Sequence, residues 1–386
     1  MTLQNMQQEH KRIAEFLEDL KYHSDNMLGY PVARDFDYKA LMPFLNYHIN
    51  NCGDPFVAGT HNDSSREFEI EVVAFWAELL RAPKDNWWGY VTNGGTEGNL
   101  YGLYLARELY PNGVVYFSRE THYSVSKNLH ILNMRNIMIR CQKNGEIDYE
   151  DLREHLRVNR DVPPIIFANI GTTMTEAKDD IGKIQDIMRE MMIPDFYIHA
   201  DAAMCGAVAP FLDPKPNFDF ADGVHSMSIS GHKFIGSPIP CGLVLALKEN
   251  VNRIARSVAY IGNLDTTVSG SRNGLTPLIL WYAMKRYGKE GMAKRVRNSL
   301  ELAAYAVDEL NNIGVKAWRN PNALTVIMPE VHPDVKDTWQ LATANGISHI
   351  ILMPYLTREY VDGFVADMKS KPSTSIADAR NKKQVS

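Results

Sequence analysis

Between residues 56 and 258 the chain alternates short apolar runs of strand type with segments of helical period. This alternation restricts the possible folds more than any other feature of the sequence. "REFEIEVVAFWAELLRA" has helical periodicity, "GYVTNGG" is a short strand closing on a glycine-rich turn, and "TEGNLYGLYLARELY" is helical again. "GVVYFS" follows as a strand, "YSVSKNLHIL" as a helix, and "NIMIRC" and "PIIFANIG" as strands. Then come "KIQDIMREMM" as a helix and "FYIHAD", "SMSIS" and "CGLVLALK" as strands. Strands joined through helices predict an α/β domain with a mainly parallel sheet covered on both faces.

The flanking regions read differently. Residues 1–55 hold one amphipathic helix and then "GYPVARDFDYKALMPFLNYHINNCGDPF", rich in aromatics and breakers. That composition predicts a segment that packs on another surface instead of forming its own core. From 259 to 370 a long helical stretch, "PLILWYAMKRYGKEGMAKRVRNSLELAAYAVDELNNIG", precedes "ALTVIMP", a helix, "HIILMP" and a last helix. This pattern predicts a smaller C-terminal α+β domain. The tail 371–386 is polar and basic with almost no large apolar residue, so it is expected to lack fixed structure.

Charge and cysteine content exclude several classes of function. The 386 residues carry 41 Lys+Arg against 46 Asp+Glu, a net charge of −5, which gives no electrostatic case for nucleic acid or an anionic membrane. No apolar run approaches the ~18 residues of a membrane span. Cys52, Cys141, Cys205 and Cys241 form no CxxC pair. With no secretion signal at the start, they read as reduced thiols of a cytoplasmic protein.

Four stretches offer chemistry. "TNGGTEGN" (92–99) follows a strand and opens a helix, so its backbone N–H groups can meet an anion; a plain tight turn is the alternative. In "FYIHADAAMCG", Asp201 stands at a strand end, where ligands collect in open α/β sheets. It can also cap the next helix, or form a metal pair with His199, for which the nearby sequence offers no third ligand. Lys233, in "SISGHKFIGSPIPCG", sits among small and apolar residues. Partial desolvation there would lower its pKa and make it a nucleophilic amine; otherwise it is a surface loop lysine. His122, in "SRETHYSVSKN", is either a surface residue or a ring placed to stack on a bound cofactor.

An anion cradle, a strand-end carboxylate and a later lysine, in that order on an α/β scaffold, are what pyridoxal phosphate requires. A carboxylate ~4 Å from a protonated pyridine nitrogen is worth up to ~4 kcal/mol at an effective dielectric of ~20. That corresponds to ~3 pKa units in favour of the charged ring.

Taken together, "INNCGDPF", "WGYVTNGGTEGN", "THYSVSKN", "GEIDYEDL", "PIIFANIGTT", "HADAAM", "SGHKFIGSPIPCG" and "GSRNG" resemble the group II pyridoxal-phosphate decarboxylases of the fold-type I superfamily. The resemblance runs from about Gly29 to Met368. It implies that Lys233 is the Schiff-base lysine, that Asp201 pairs with the pyridine nitrogen, and that Ala203 and His122 lie on opposite ring faces. It further implies a phosphate site of Gly95, Thr96, Ser230 and His232, with Thr173 near the ring hydroxyl. Tyr260 falls where the family carries a mobile-loop tyrosine that protonates Cα. The implied activity is decarboxylation of an amino acid, L-histidine to histamine first and L-serine to ethanolamine second; a homologue that binds the cofactor without turnover is the non-enzyme alternative. No metal is implied. A homodimer, or a homotetramer built from it, is expected, with residues 1–55 packing on the partner.

Overall fold

The structure is a computed structural model and describes residues 3–60, 62–259 and 262–371. Tyr260 and all but the first residue of the polar tail therefore lie outside the described residues.

Helix α1 (Leu3–Asp25) and the short strand β1 (Asn50–Cys52) precede the alternating region. That region runs α2 (Arg66–Leu79), β2 (Trp88–Thr92), α3 (Gly95–Leu109), β3 (Val114–Ser118), α4 (Ser124–Ile131), β4 (Arg135–Ile139), α5 (Tyr149–Val158) and β5 (Pro164–Asn169). It continues through α6 (Ile181–Glu190), β6 (Tyr197–Asp201), β7 (Ser226–Ser230), β8 (Gly242–Ala246) and the one-turn α7 (Lys248–Val251). Seven of these strands form one sheet in the order β2-β8-β7-β6-β5-β3-β4, in which only β8 runs against the others. The sheet is therefore mainly parallel, as the alternation predicts.

The strands explain their own positions. β2, β3, β5, β6, β7 and β8 are buried along their whole lengths, as runs that face helices on both sides must be. β4 is the outer strand, and it places Arg135 and Asn136 in solvent, a polar edge that discourages further strand pairing. Helix α5 has no counterpart among the helices expected from periodicity. Only Leu152 and Leu156 of its apolar residues are buried, too few to display a period. Its real signal is a cap: Asp148 accepts from the N–H groups of Glu150 and Asp151, both at 3.1 Å.

Beyond the sheet come β9 (Arg256–Val258), β10 (Asn263–Asp265) and β11 (Ser271–Asn273), which form two-stranded antiparallel pairs, β9 with β10 and β11 with the distant β1. The long helix α8 (Leu275–Asn312) is broken at Gly288, whose φ of 57° and ψ of −168° only glycine adopts readily. A three-stranded antiparallel sheet follows, ordered β12-β14-β13, from β12 (Thr325–Pro329), β13 (Ala342–Ala344) and β14 (Ile347–Ile351). α9 (Pro333–Thr338) and α10 (Arg358–Ser370) complete it.

Residues 27–38 thread between this small sheet and the loop after β7 of the same chain. Leu28 N–H donates to Trp339 O at 3.1 Å, Ile351 N–H to Leu28 O at 2.8 Å, and Ala33 N–H to Lys233 O at 3.3 Å. Glu176, after β5, ties the two sheets: its Oε2 accepts from the N–H groups of Leu324 and Thr325 at 2.9 and 2.8 Å. Because β2, β3, β5, β6 and β7 point the same way, the turns after them open on one edge of the large sheet.

Candidate active site

The turn after β2 holds the glycines expected to form an anion cradle, and each has a separate reason to be glycine. Gly94 has φ 147°, a conformation closed to other side chains. A Cβ on Gly95 would stand 2.9 Å from Ser230 Oγ and 3.3 Å from Ala203 Cβ, and one on Gly98 would meet Ser228 Oγ. Glycine therefore brings the head of α3 against the ends of β6 and β7. Glu97 binds back to Asn93, accepting from its N–H at 2.9 Å and its side-chain amide at 2.6 Å. The N–H groups of Gly95 and Thr96 find no acceptor among the described residues. Open donors at a helix head are what a phosphate needs.

Asp201 closes β6. Its Oδ1 accepts Ala203 N–H at 3.1 Å, which closes a local turn and caps no helix, since the next helical turn, Cys205–Ala207, follows Met204 without a side-chain cap; its Oδ2 accepts Asn99 Nδ2 at 2.8 Å. Asn99 Oδ1 lies 3.0 Å from His199 Nε2, and His199 Nδ1 lies 2.7 Å from Ser226 Oγ. Burial pushes the His199 pKa down to about 3, so the ring is neutral. The consistent polarity runs from Ser226 O–H to Nδ1, from Nε2–H to Asn99 Oδ1, and from the Asn99 amide to Asp201. With both ring nitrogens engaged, His199 is a support for Asp201 through Asn99, and the metal-pair alternative is set aside. Sequence reading missed Asn99 and Ser226. The signal for Asn99 was its place one helical turn into α3, facing β6.

Lys233 lies in a π-type turn, Gly231–Ile235, directly after β7, and not in a surface loop. Its amine makes no hydrogen bond or ion pair among the described residues. Burial lowers its pKa, and nearby Asp201 only partly opposes the fall. Next to it, His232 Nδ1 donates to Cys241 O at 2.8 Å, and burial lowers its pKa too. His122 follows β3. Its Nδ1 accepts from Ser124 N–H (3.3 Å) and Ser124 Oγ (2.8 Å), so Nε2 keeps the proton. Burial holds this ring neutral more strongly than Asp201 draws it toward the charged form.

These parts surround one cleft of about 250 Å³. Gly95 and Thr96 line it from the head of α3, His122 from the loop after β3, and Thr173 from the loop after β5. Asp201 and Ala203 line it from β6, and Ser230, His232 and Lys233 from β7 and its turn. Tyr260 lies outside the described residues. Tyr123, Ser124 and Gly171 also line the cleft and were not expected. The set fits pyridoxal phosphate: open N–H donors with two hydroxyl-bearing neighbours for a phosphate, a carboxylate for a ring nitrogen, and an unpaired, half-buried amine for an aldehyde.

A family model described as "Pyridoxal-dependent decarboxylase conserved domain" matches residues 22–317. A protein of Mesorhizobium japonicum named histidine decarboxylase is 50% identical over 364 residues, 94% of this chain and 98% of that relative. A protein of Morganella morganii with the same name is 46% identical over 344 residues, 88% of this chain and 91% of that relative. The structure of L-methionine decarboxylase from Streptomyces sp.590 superposes with a TM-score of 0.86 at 25% identity, covering 96% of this chain and 95% of that one. A sphingosine-1-phosphate lyase of Burkholderia pseudomallei shares the fold, at a TM-score of 0.78 and 19% identity.

Proposed function

The chain belongs to the pyridoxal-dependent decarboxylase family, and from that premise we propose that it converts L-histidine to histamine and carbon dioxide with pyridoxal 5'-phosphate as cofactor. The observation that carries the chemistry is the unpaired amine of Lys233, in the same cleft as the supported carboxylate of Asp201. The choice of histidine rests on relatives of that name that are 46–50% identical over most of the chain.

Lys233 would hold the cofactor through its aldehyde, its lowered pKa providing the neutral amine that such a bond requires. Gly95 and Thr96 N–H, Ser230 and His232 would hold the phosphate. Asp201, fixed by Asn99 and Ala203, would hold the ring nitrogen in its protonated form, with Ala203 against one face of the ring and Thr173 beside its hydroxyl. When bound, the cofactor supplies an electron sink for the pair left on Cα as carbon dioxide departs. His122, on the other face, offers Nε2–H to the substrate carboxylate. Tyr260 would return a proton to Cα, and Lys233 would then release the amine.

The same reading makes the protein a cytoplasmic homodimer. Support for a partner comes from exposed apolar residues near the N-terminus: Ile13, Phe16 and Leu17 on α1 are 64%, 62% and 51% exposed. A hollow lined by Phe44, Tyr47, Ile49, Phe68 and Leu278 adds to this surface. No helix among the described residues is long and apolar enough to cross a membrane.

The test is to load purified protein with pyridoxal phosphate and offer L-histidine, L-serine and aromatic amino acids separately, measuring carbon dioxide and amine. Histamine from wild type and none from Lys233→Ala is the expected result. Ethanolamine from serine would keep the chemistry and overturn the substrate.

A further inference from the structure

The turn that carries Lys233 satisfies its first carbonyl from within but not those of Lys233 and Phe234. Gly236 and Ser237 N–H both donate to Gly231 O, at 3.1 and 3.0 Å. The next position along, where a helical turn would offer a donor to Phe234 O, is Pro238, which has no N–H. Both carbonyls that follow Lys233 are met from elsewhere. Ala33 N–H donates to Lys233 O at 3.3 Å, and Arg295 Nη2 donates to Phe234 O at 2.9 Å. Unpaired carbonyls in so buried a turn would be costly, so these outside donors select its conformation.

Arg295 and the donor strand are locked to each other. Arg295 Nε and Nη2 grip the carboxylate of Asp35, two residues beyond Ala33, at 2.7 and 2.8 Å. The guanidinium lies 4.7 Å from the ring centre of Phe36, 4.9 Å from that of Phe234 and 5.0 Å from that of Tyr287. Tyr287 OH donates to Asp35 O at 2.9 Å, and Tyr38 OH to Gly236 O at 3.0 Å. Gly236, at φ 99°, is pressed by the Phe36 ring, which a Cβ there would overlap. Neither Asp35 nor Arg295 lines the cleft.

We propose that the Asp35–Arg295 pair is the positioning device for Lys233. It clamps residues 33–38 onto the turn after β7, so that the backbone following Lys233 is held and its amine stays desolvated in the cleft. The pair acts through the backbone and touches no reacting atom. This rests on the reading of Lys233 as the lysine that attaches pyridoxal phosphate.

The measurement is the rate at which cofactor-free protein captures pyridoxal phosphate, followed against pH, with the rate of cofactor release from the loaded protein. Capture needs the neutral amine, so its midpoint tracks the Lys233 pKa. In Arg295→Lys and Asp35→Asn the loosened turn admits water. The midpoint should rise by about one pH unit, toward the ordinary lysine value, and release should quicken roughly tenfold. Asp219→Asn is the structural control. Asp219 accepts from Arg81 at 2.8 Å ahead of the start of β7, on the opposite edge of the sheet, so its loss should lower the melting temperature and leave both rates alone. If the two variants behave like this control, the pair is only structural and the proposal falls. If both fail to fold, Tyr287→Phe decides, because it removes only the hydroxyl's hydrogen bonds to Asp35 O and Oδ2 and leaves the Asp35–Arg295 pair in place. A smaller upward shift supports the proposal and an unchanged midpoint overturns it. Lys233→Ala separates the two levels: cofactor that borohydride still fixes covalently in that variant defeats the underlying reading of Lys233, whatever Arg295 does.

Discussion

Lys178, in the loop after β5, and Lys233, in the turn after β7, are both half-buried, and they end in opposite states. Lys178 is 10% exposed and lies 3.3 Å from Glu176 Oε1 and 3.4 Å from Asn322 O. Burial pulls its pKa down, but Cys205 and Glu176 more than reverse that, and the net shift is upward. Glu176 is the effective partner, since burial drives the Cys205 thiol far above its ordinary range and keeps it neutral. Lys233 has no such partner. Asp201 is near enough to oppose the fall in its pKa but is already bound by Asn99 and Ala203, and burial prevails. A buried lysine with a carboxylate in contact is a permanent cation that ties two sheets together. One whose neighbouring carboxylate is engaged elsewhere is a nucleophile.

Exchange of the two environments would break this contrast, and the largest effect should come from Lys233 itself. Lys233→Ala should lower decarboxylation on the order of 10⁴-fold or more, as loss of a covalent nucleophile does, while circular dichroism stays that of the wild type. Lys178→Met should do the reverse. It strands Glu176 as a buried charge and should cost about 3–5 kcal/mol in denaturant unfolding. The remaining folded protein should turn over at a near-normal rate, and Glu176→Gln in the same chain should recover part of the stability.

Asn99→Ala sharpens the comparison at the point where the two lysines diverge. It removes a hydrogen bond to the Asp201 carboxylate, an interaction worth ~1.5–3 kcal/mol, so the catalytic rate should fall roughly 10- to 100-fold. The freed carboxylate can turn toward Lys233, and the pH midpoint of cofactor capture should rise.

The smallest effect is the opposite pH dependence of the two sites in cofactor-free protein. The Lys233 pKa is lowered by folding, so between its folded value and 10.5 the unfolded chain binds more protons, and stability rises with pH across that window. Lys233→Met should therefore be more stable than wild type at neutral pH, by a margin that shrinks as pH approaches 10.5. The Lys178 pKa is raised, so its contribution is complete below 10.5 and is lost as pH climbs through the folded value. Melting temperatures of Lys233→Met and Lys178→Met against wild type, from pH 7 to 10.5, would show margins of opposite sign.

Much of the scaffold was legible because it is local. Strands buried along their whole length show as continuous apolar runs, and the β2–α3 turn announces itself through Gly94, Gly95 and Gly98. Local signals also had limits. Helix α5 buries too few apolar residues to show a period, and the break at Gly288 hides in an otherwise helical stretch. The resemblance to a family supplied Thr173, Ser230 and His232, which no spacing argument would have selected.

Sequence by itself determined the order of the elements, the mainly parallel sheet and the residue types able to serve a pyridoxal chemistry. Each of these follows from side-chain period, turn chemistry or an ordered set of motifs. Tertiary structure alone decided which buried lysine is paired. It also decided that His199 reaches Asp201 only through Asn99, and that Asp35 and Arg295 meet behind the turn of Lys233. The physical reason is that pKa and orientation depend on neighbours brought together by folding from distant parts of the chain, and no short stretch encodes them.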